Sequence, residues 1–253
     1  MFRLLIIQVL LSLSFATAAA EESFFTDTLT LPDADSFLRP TIPQRYIDEM
    51  CDSVIVRLND DDYADVARRL DVDIAAIKAV VDVETGRQHI GFCAPHLPII
   101  YFDAKVFKRN CTRRGIVLSG GASLIKSGHG VNQQQAHQRL RQAIEIDSIA
   151  AVESTFWGMF QIGGFNWKLC GCRNLTEFVR QMRLSEPAQL QLFANFLVNT
   201  GLVKYLREKN WHAFARSYNG PRYAARGYHT RLARAYKKHH SVKTAPSCSQ
   251  ETR

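Results

Sequence analysis

The feature that most constrains this chain is a run of helical segments that starts at Asp60 and continues almost to the C-terminus. Tyr63, Val66, Ala67 and Leu70 recur at spacings of three and four, which predicts a first amphipathic helix. In DVDIAAIKAVVDVETG, Asp73 caps the start, Ile74, Ile77, Val80, Val81 and Glu84 share a face, and Gly86 suits the end. Gln134 to about Val152 reads as one long amphipathic segment and Thr176 to Met182 as a shorter one. Ser185 caps SEPAQLQLFANFLVNTG, with Pro187 in its first turn and Gly201 past its end. Leu202 to Lys209 and Trp211 to Tyr218 are short helices separated by the cap Asn210, and Gly227 to Lys237 is the last helix. Between Arg87 and Asn132 the pattern is mixed: PIIYFDAKVF reads as a short strand or helix turn, RGIVLSGGASLIKSGHG as loop. Period-two alternation is weak throughout, so the predicted class is mainly α with at most a small β element.

The first twenty residues read differently. MFRLLIIQVLLSLSFATAAA joins Arg3 to an apolar run from Leu4 to Phe15 and then to small residues, the pattern of a secretory signal peptide cleaved near Glu21. The run falls short of the roughly 20 apolar residues that span a bilayer. The expectation is an exported protein, periplasmic or extracellular, with no stable membrane insertion after cleavage. Residues 21–56 form an acidic, Pro-containing leader or linker, 57–238 the folded domain, and 239–253 a polar basic tail in which His239 and His240 are solvated. In an oxidising compartment the six cysteines (Cys51, Cys93, Cys111, Cys170, Cys172, Cys248) favour disulfides over metal or redox roles. Cys93 with Cys111 is the first pairing expected, because it closes a short loop without other obvious order. Cys170 and Cys172 are too close to bridge to each other. No CxxC spacing of a zinc site occurs, and neither a metal nor a cofactor is expected.

The net charge of +8 is unevenly placed. Through Asp62 the chain has 11 acidic and 4 basic residues, which leaves 13 acidic (24 minus 11) and 28 basic (32 minus 4) beyond it. The folded region is therefore the basic part and calls for an anionic partner, with binding that weakens as salt rises. No nucleic-acid recognition motif accompanies the charge, and an export signal argues against such a partner.

Glu84 is the most informative residue. It shares a helix face with Ile77, Val80 and Val81 and sits in the last turn before Gly86. Burial and the negative end of a helix dipole both raise a carboxyl pKa, and a carboxylic acid kept protonated near neutral pH is what glycosidic cleavage requires. A glutamate paired to one of the many arginines fits this helix equally well. Two further segments shift the balance. Trp157-Gly158-Met159-Phe160-Gln161-Ile162 combines a glycine, where backbone approaches a ligand, with aromatic and amide side chains suited to sugars. WHAFARSYNGPRY places Tyr218 and Asn219 at the end of a short helix, with Gly220 and Pro221 turning the chain.

AAIKAVVDVETG, IIYFDAKVF, STFWGMFQIGGFN, LCGC, FVRQM, SEPAQLQLFANFL and WHAFARSYNGPRY occur here in the order seen in the peptidoglycan N-acetylmuramidase family of phage endolysins and bacterial cell-wall enzymes, which the chain resembles from about Leu58 to Tyr236. More distantly, Glu84, GMFQ and ARSYNG look like the three signature motifs of goose-type lysozymes and soluble lytic transglycosylases. The resemblance implies an α+β lysozyme-like fold, two helical lobes with a substrate groove between them, and peptidoglycan glycan strands as the partner. It places the catalytic glutamate on Glu84, sets Trp157, Gly158, Met159 and Gln161 along the groove floor, and has Tyr218 and Asn219 flank the acid. Two departures stand out: Asp103 where the family usually has glutamate, and Gly163 where it has methionine.

The second carboxylate decides the reaction, because an inverting hydrolase holds a base about 6.5–9.5 Å from the acid and a nucleophile sits closer. Asp103 is the first candidate and Glu153, at a helix end before Trp157, the second; Asp147 and Asp82 read as structural. The expected activity is hydrolysis of the β-1,4 bond between N-acetylmuramic acid and N-acetylglucosamine. If neither candidate reaches the groove, Glu84 serves as acid and base, and the sugar 6-hydroxyl replaces water in a lytic transglycosylase. A non-catalytic peptidoglycan-binding envelope protein is the alternative from another class.

Overall fold

The computed structural model describes residues 54–85, 90–118 and 132–243. The signal segment, most of the leader, Cys51, Gly86, the glycine-rich loop after Leu118 and Cys248 lie outside the described residues. Ten α-helices appear among those described: α1 (Asp60–Leu70), α2 (Ile74–Thr85), α3 (Ala104–Arg113), α4 (Gln133–Ile144), α5 (Ser148–Glu153), α6 (Leu175–Leu184), α7 (Glu186–Asn199), α8 (Val203–Arg207), α9 (Trp211–Asn219) and α10 (Tyr228–Lys243). Five short strands accompany them: β1 (Phe92–Ala94), β2 (Leu97–Pro98), β3 (Ile100–Phe102), β4 (Thr155–Trp157) and β5 (Ile162–Gly163). None of these helices is long and apolar enough to cross a membrane.

Caps written in the sequence set most helix starts. Asn59 accepts the Asp61 and Asp62 amides while the Asp62 carboxylate takes the Asn59 N–H, a closed capping box. Asp73, Ser185 and Asn210 cap α2, α7 and α9 through Ala75 N, Ala188 N and Ala213 N. The stretch from Gln134 to Val152 divides into two helices rather than one. Asp147 accepts the Ala150 amide at 2.6 Å and starts α5, so its side chain competes with continuation of α4. PIIYFDAKVF supplies both readings: β3, then α3.

β1 and β2 form an antiparallel hairpin, and β3-β4-β5 an antiparallel sheet in that order, with Ile100 opposite Trp157 and Trp157 opposite Ile162. The core runs from α2 (Ile77, Val80, Val81) through Phe102, Phe107 and Trp157 to Phe178, Phe193 and Phe214. The folded part is already anchored at Val56, which accepts the Glu186 amide, and the buried Glu186 carboxylate in turn takes Arg57 Nη1, the Leu58 amide and the Gly91 amide.

Two expectations change here. α10 runs through Lys243 and packs extensively along α2. His239 and His240 therefore belong to this helix rather than to a solvated tail: His239 Nε2 lies 2.8 Å from Asp82 Oδ2, and His240 Nδ1 lies 3.4 Å from Asp73 Oδ2. The Cys93–Cys111 bridge is not formed. Cys93 is exposed on β1 while Cys111 is fully buried on the inner face of α3, and both are free, as are Cys170 and Cys172.

Candidate active site

α2 is almost entirely buried along Ala75 to Val81, and its last turn carries Glu84 out of that packing. Glu84 keeps part of its surface open to solvent although protein surrounds it densely. Burial pushes its carboxyl up to about 7, against the lowering effects of an Asn219 hydrogen bond and the Arg231 charge. The Asn219 Nδ2 amide donates to Glu84 Oε1 at 3.3 Å, across 135 residues of chain. Asn219 is itself buried, and its Oδ1 has no partner.

α9 delivers Asn219 at its C-terminus, where Gly220 takes φ +81 and ends the helix. One residue earlier Tyr218 is buried, with Phe193, Phe196 and Phe214 around its ring. Burial, and then the charge of Glu84, raise the Tyr218 hydroxyl well above its ordinary range. The chain turns through Gly220 to Gly227 and returns as α10, whose first turns bring Tyr228 and Arg231 to the same place. Burial and Glu84 raise Tyr228 as well, and the Arg231 guanidinium sits 4.3 Å from the Tyr228 ring centre. The sequence reading missed Tyr228 and Arg231. Their spacing of three on the last helix, directly after the YNG turn, was the available signal.

The GMFQ segment is the turn between β4 and β5. Gln161 N and Nε2 both donate to Gly158 O, at 3.1 and 2.8 Å. Gly158 has φ +67, and a side chain there would collide with Gln189 Oε1 at 2.6 Å. Gln189, fully buried on α7, accepts the Met159 amide and donates to Met182 O, so one amide in an apolar helix holds the turn. Phe160 stacks on Phe193 at 4.3 Å, and Phe193 meets Tyr218 edge-on at 5.8 Å. A train of three rings thus ties the GMFQ turn to the YNG turn and fixes both relative to Glu84.

Not every residue expected in the groove faces it. Trp157 is 1% exposed, donates its indole N–H to Val152 O and packs edge-on against Phe178, which makes it core. Met159 is buried likewise, and the Gln161 Nε2 is engaged within its own turn. Gly163, one of the two departures from the expected pattern, leaves no room for a side chain: a Cβ there would strike the Phe165 ring.

Neither candidate for a second carboxylate is among the groups that shift Glu84. Asp103 caps α3, its Oδ1 accepting Lys105 N at 2.9 Å and Val106 N at 3.1 Å. Glu153 is raised by burial, but the charges that act on it are Arg114, Asp147, Lys168 and Arg113, a different set from those at Glu84. No group of three or more His, Cys, Asp or Glu side chains suited to a metal occurs among the described residues. An open hollow bounded by Ala67, Asp71, Val72, Arg207 and Lys209 lies at the other end of α2, about 16 Å from Glu84 at 1.5 Å per helical residue.

A family model described as N-acetylmuramidase matches residues 73–240 of the chain. Among solved structures, the crystal structure of Burkholderia AP3 phage endolysin is similar, with a TM-score of 0.66 and 34% sequence identity over 73% of this chain and 72% of that one. No curated protein matches.

Proposed function

The chain belongs to the N-acetylmuramidase family and is a lysozyme-type glycoside hydrolase of peptidoglycan, and from that premise we propose that Glu84 is the general acid that cleaves the β-1,4 bond between N-acetylmuramic acid and N-acetylglucosamine. The observation that carries this reading is the Glu84 carboxyl, raised to about 7 by burial, still partly open to solvent, and met by the Asn219 amide. Below about pH 7 it carries a proton that it can give to the glycosidic oxygen as the C1–O bond breaks. The carboxylate left behind is stabilised by the Asn219 amide and by the Arg231 charge.

Among the described residues no second carboxylate acts on Glu84, which favours one residue acting twice. In that cycle the Glu84 carboxylate takes a proton from the incoming nucleophile and is restored as acid. With water the product is a reducing end; with the 6-hydroxyl of the muramoyl sugar it is a 1,6-anhydro end. In that cycle Asp103 serves the fold as the cap of α3.

The signal-type segment from Arg3 to Ala20 supports action outside the cytoplasm, where the substrate lies. Digestion of purified peptidoglycan with mass analysis of the fragments tests the reaction. Reducing ends support hydrolysis, anhydro ends one water lighter support transglycosylation, and cleavage at the other glycosidic bond would overturn the proposed specificity.

A further inference from the structure

The C-terminal arm is charged in one sense only. No Asp or Glu stands between Glu208 and Glu251, so α9, the turn after it and α10 bring no carboxylate of their own. The later turns of α10 find counter-charges on α2: Asp73 takes Tyr236 and His240, and Asp82 takes His239 and lies 4.0 Å from Lys238. The first turns do not. Arg231 is half-buried, hydrogen-bonds the Tyr228 side chain but forms no ion pair among the described residues, and its Nε is buried without a hydrogen-bond partner. The acid it acts on is Glu84, which is neutral whenever it is ready to donate a proton. Arg226 stands at the rim of the same site, exposed, unpaired among the described residues, and near enough for its charge to act on Tyr228. A partly desolvated guanidinium without a counter-ion is costly, and its planar fork suits a carboxylate.

We propose that Arg231, seated on the Tyr228 ring beside Glu84 with Arg226 at the rim, is a binding site for a carboxylate of the substrate, so that the enzyme selects acid-bearing glycan strands over neutral ones. The inference rests on Glu84 marking the point of cleavage. Two carboxylates of peptidoglycan fit the chemistry: the lactyl group of a peptide-free muramoyl sugar and the acidic groups of the stem peptide. An amide occupies the lactyl position once a peptide is attached, so the two sources are separable.

Equilibrium titration of soluble fragments tests the site without turnover: a muramoyl-peptide oligomer, the same oligomer freed of peptide, and a neutral N-acetylglucosamine oligomer. Removing a charge-assisted bidentate contact in Arg231→Gln should weaken binding of a carboxylate-bearing fragment by about tenfold or more, with Arg226→Gln costing about threefold and Arg231→Lys intermediate. The neutral oligomer should bind all three variants as it binds the wild type. Whichever acidic fragment responds to the variants identifies the carboxylate recognised. Equal weakening on the neutral oligomer, or unchanged binding of both acidic fragments, overturns the proposal; Arg226→Gln, on an exposed side chain, keeps the test decisive if Arg231→Gln folds poorly. Turnover retained by Glu84→Gln would instead overturn the assignment of the acid, a result the titrations do not depend on.

Discussion

Glu84 and Glu186 are the same side chain in two enclosed places, and they meet opposite surroundings. Glu186 receives three donors, Arg57 Nη1 and the Leu58 and Gly91 amides, all at 3.1 Å or less. Its carboxylate is fully used in joining the N-terminal entry, the β1 approach and α7. Glu84 receives one amide at 3.3 Å, two aromatic hydroxyls stand near it, and the Arg231 charge acts on it without forming an ion pair with it. Burial alone therefore does not make an acid catalyst. At Glu186 the donors tie the carboxylate to three parts of the fold, whereas at Glu84 desolvation outweighs the one amide and lifts the carboxyl.

That comparison can be broken at either residue. Glu84→Gln should lower kcat by about a thousandfold or more, within the range for loss of general acid catalysis, while circular dichroism and the melting curve show an intact fold. Glu186→Ala should do the reverse: about 2–3 kcal/mol of stability lost by denaturant titration, because buried amides lose their acceptor, with the folded fraction still turning over within a fewfold of wild type. Equal loss of activity in both variants would erase the distinction.

Asn219→Ala removes the one side-chain hydrogen bond that Glu84 receives among the described residues. It should cut kcat by about tenfold and move the alkaline limb of the pH–rate profile upward from about 7, since the lost bond favoured the charged form. The linked stability effect has a definite sign. The folded Glu84 carboxyl sits near 7 and the unfolded one near 4.5, so the folded state binds more protons between those values and its stability falls as pH rises through the window. Glu84→Gln should therefore be more stable than wild type by about 3 kcal/mol at pH 8 and equal to it below about pH 4, measured by melting in each buffer. The smallest effect belongs to Asp103. Asparagine caps a helix as well as aspartate, so Asp103→Asn should leave rate and stability nearly unchanged, while Asp103→Ala costs about 1 kcal/mol. A severe rate loss in Asp103→Asn would restore it as a catalytic carboxylate.

Several elements were legible because their causes are local. Asp73, Ser185 and Asn210 cap helices through bonds to amides two or three residues away, and the buried stripe of α2 follows its own period. The division at Asp147 was written in the same language and was outweighed by the continuous apolar pattern on either side. Trp157 is the contrary case. Its neighbours in sequence suit a sugar, but Phe178 and Val152 O enclose it, and no local pattern tells an aromatic on a groove from one beneath it.

The sequence by itself determined where the helices begin, that the fold is mainly α, and that Glu84 closes an apolar helix face near a pair of polar turns. Only the tertiary structure decided what that carboxyl meets. Asn219 and Arg231 come from the far end of the chain, and Gln189 and the Phe160–Phe193–Tyr218 rings hold the two turns in place around it. A helix is set by bonds within a few residues, whereas desolvation and charge at one oxygen sum over every atom within reach, most of them distant in sequence.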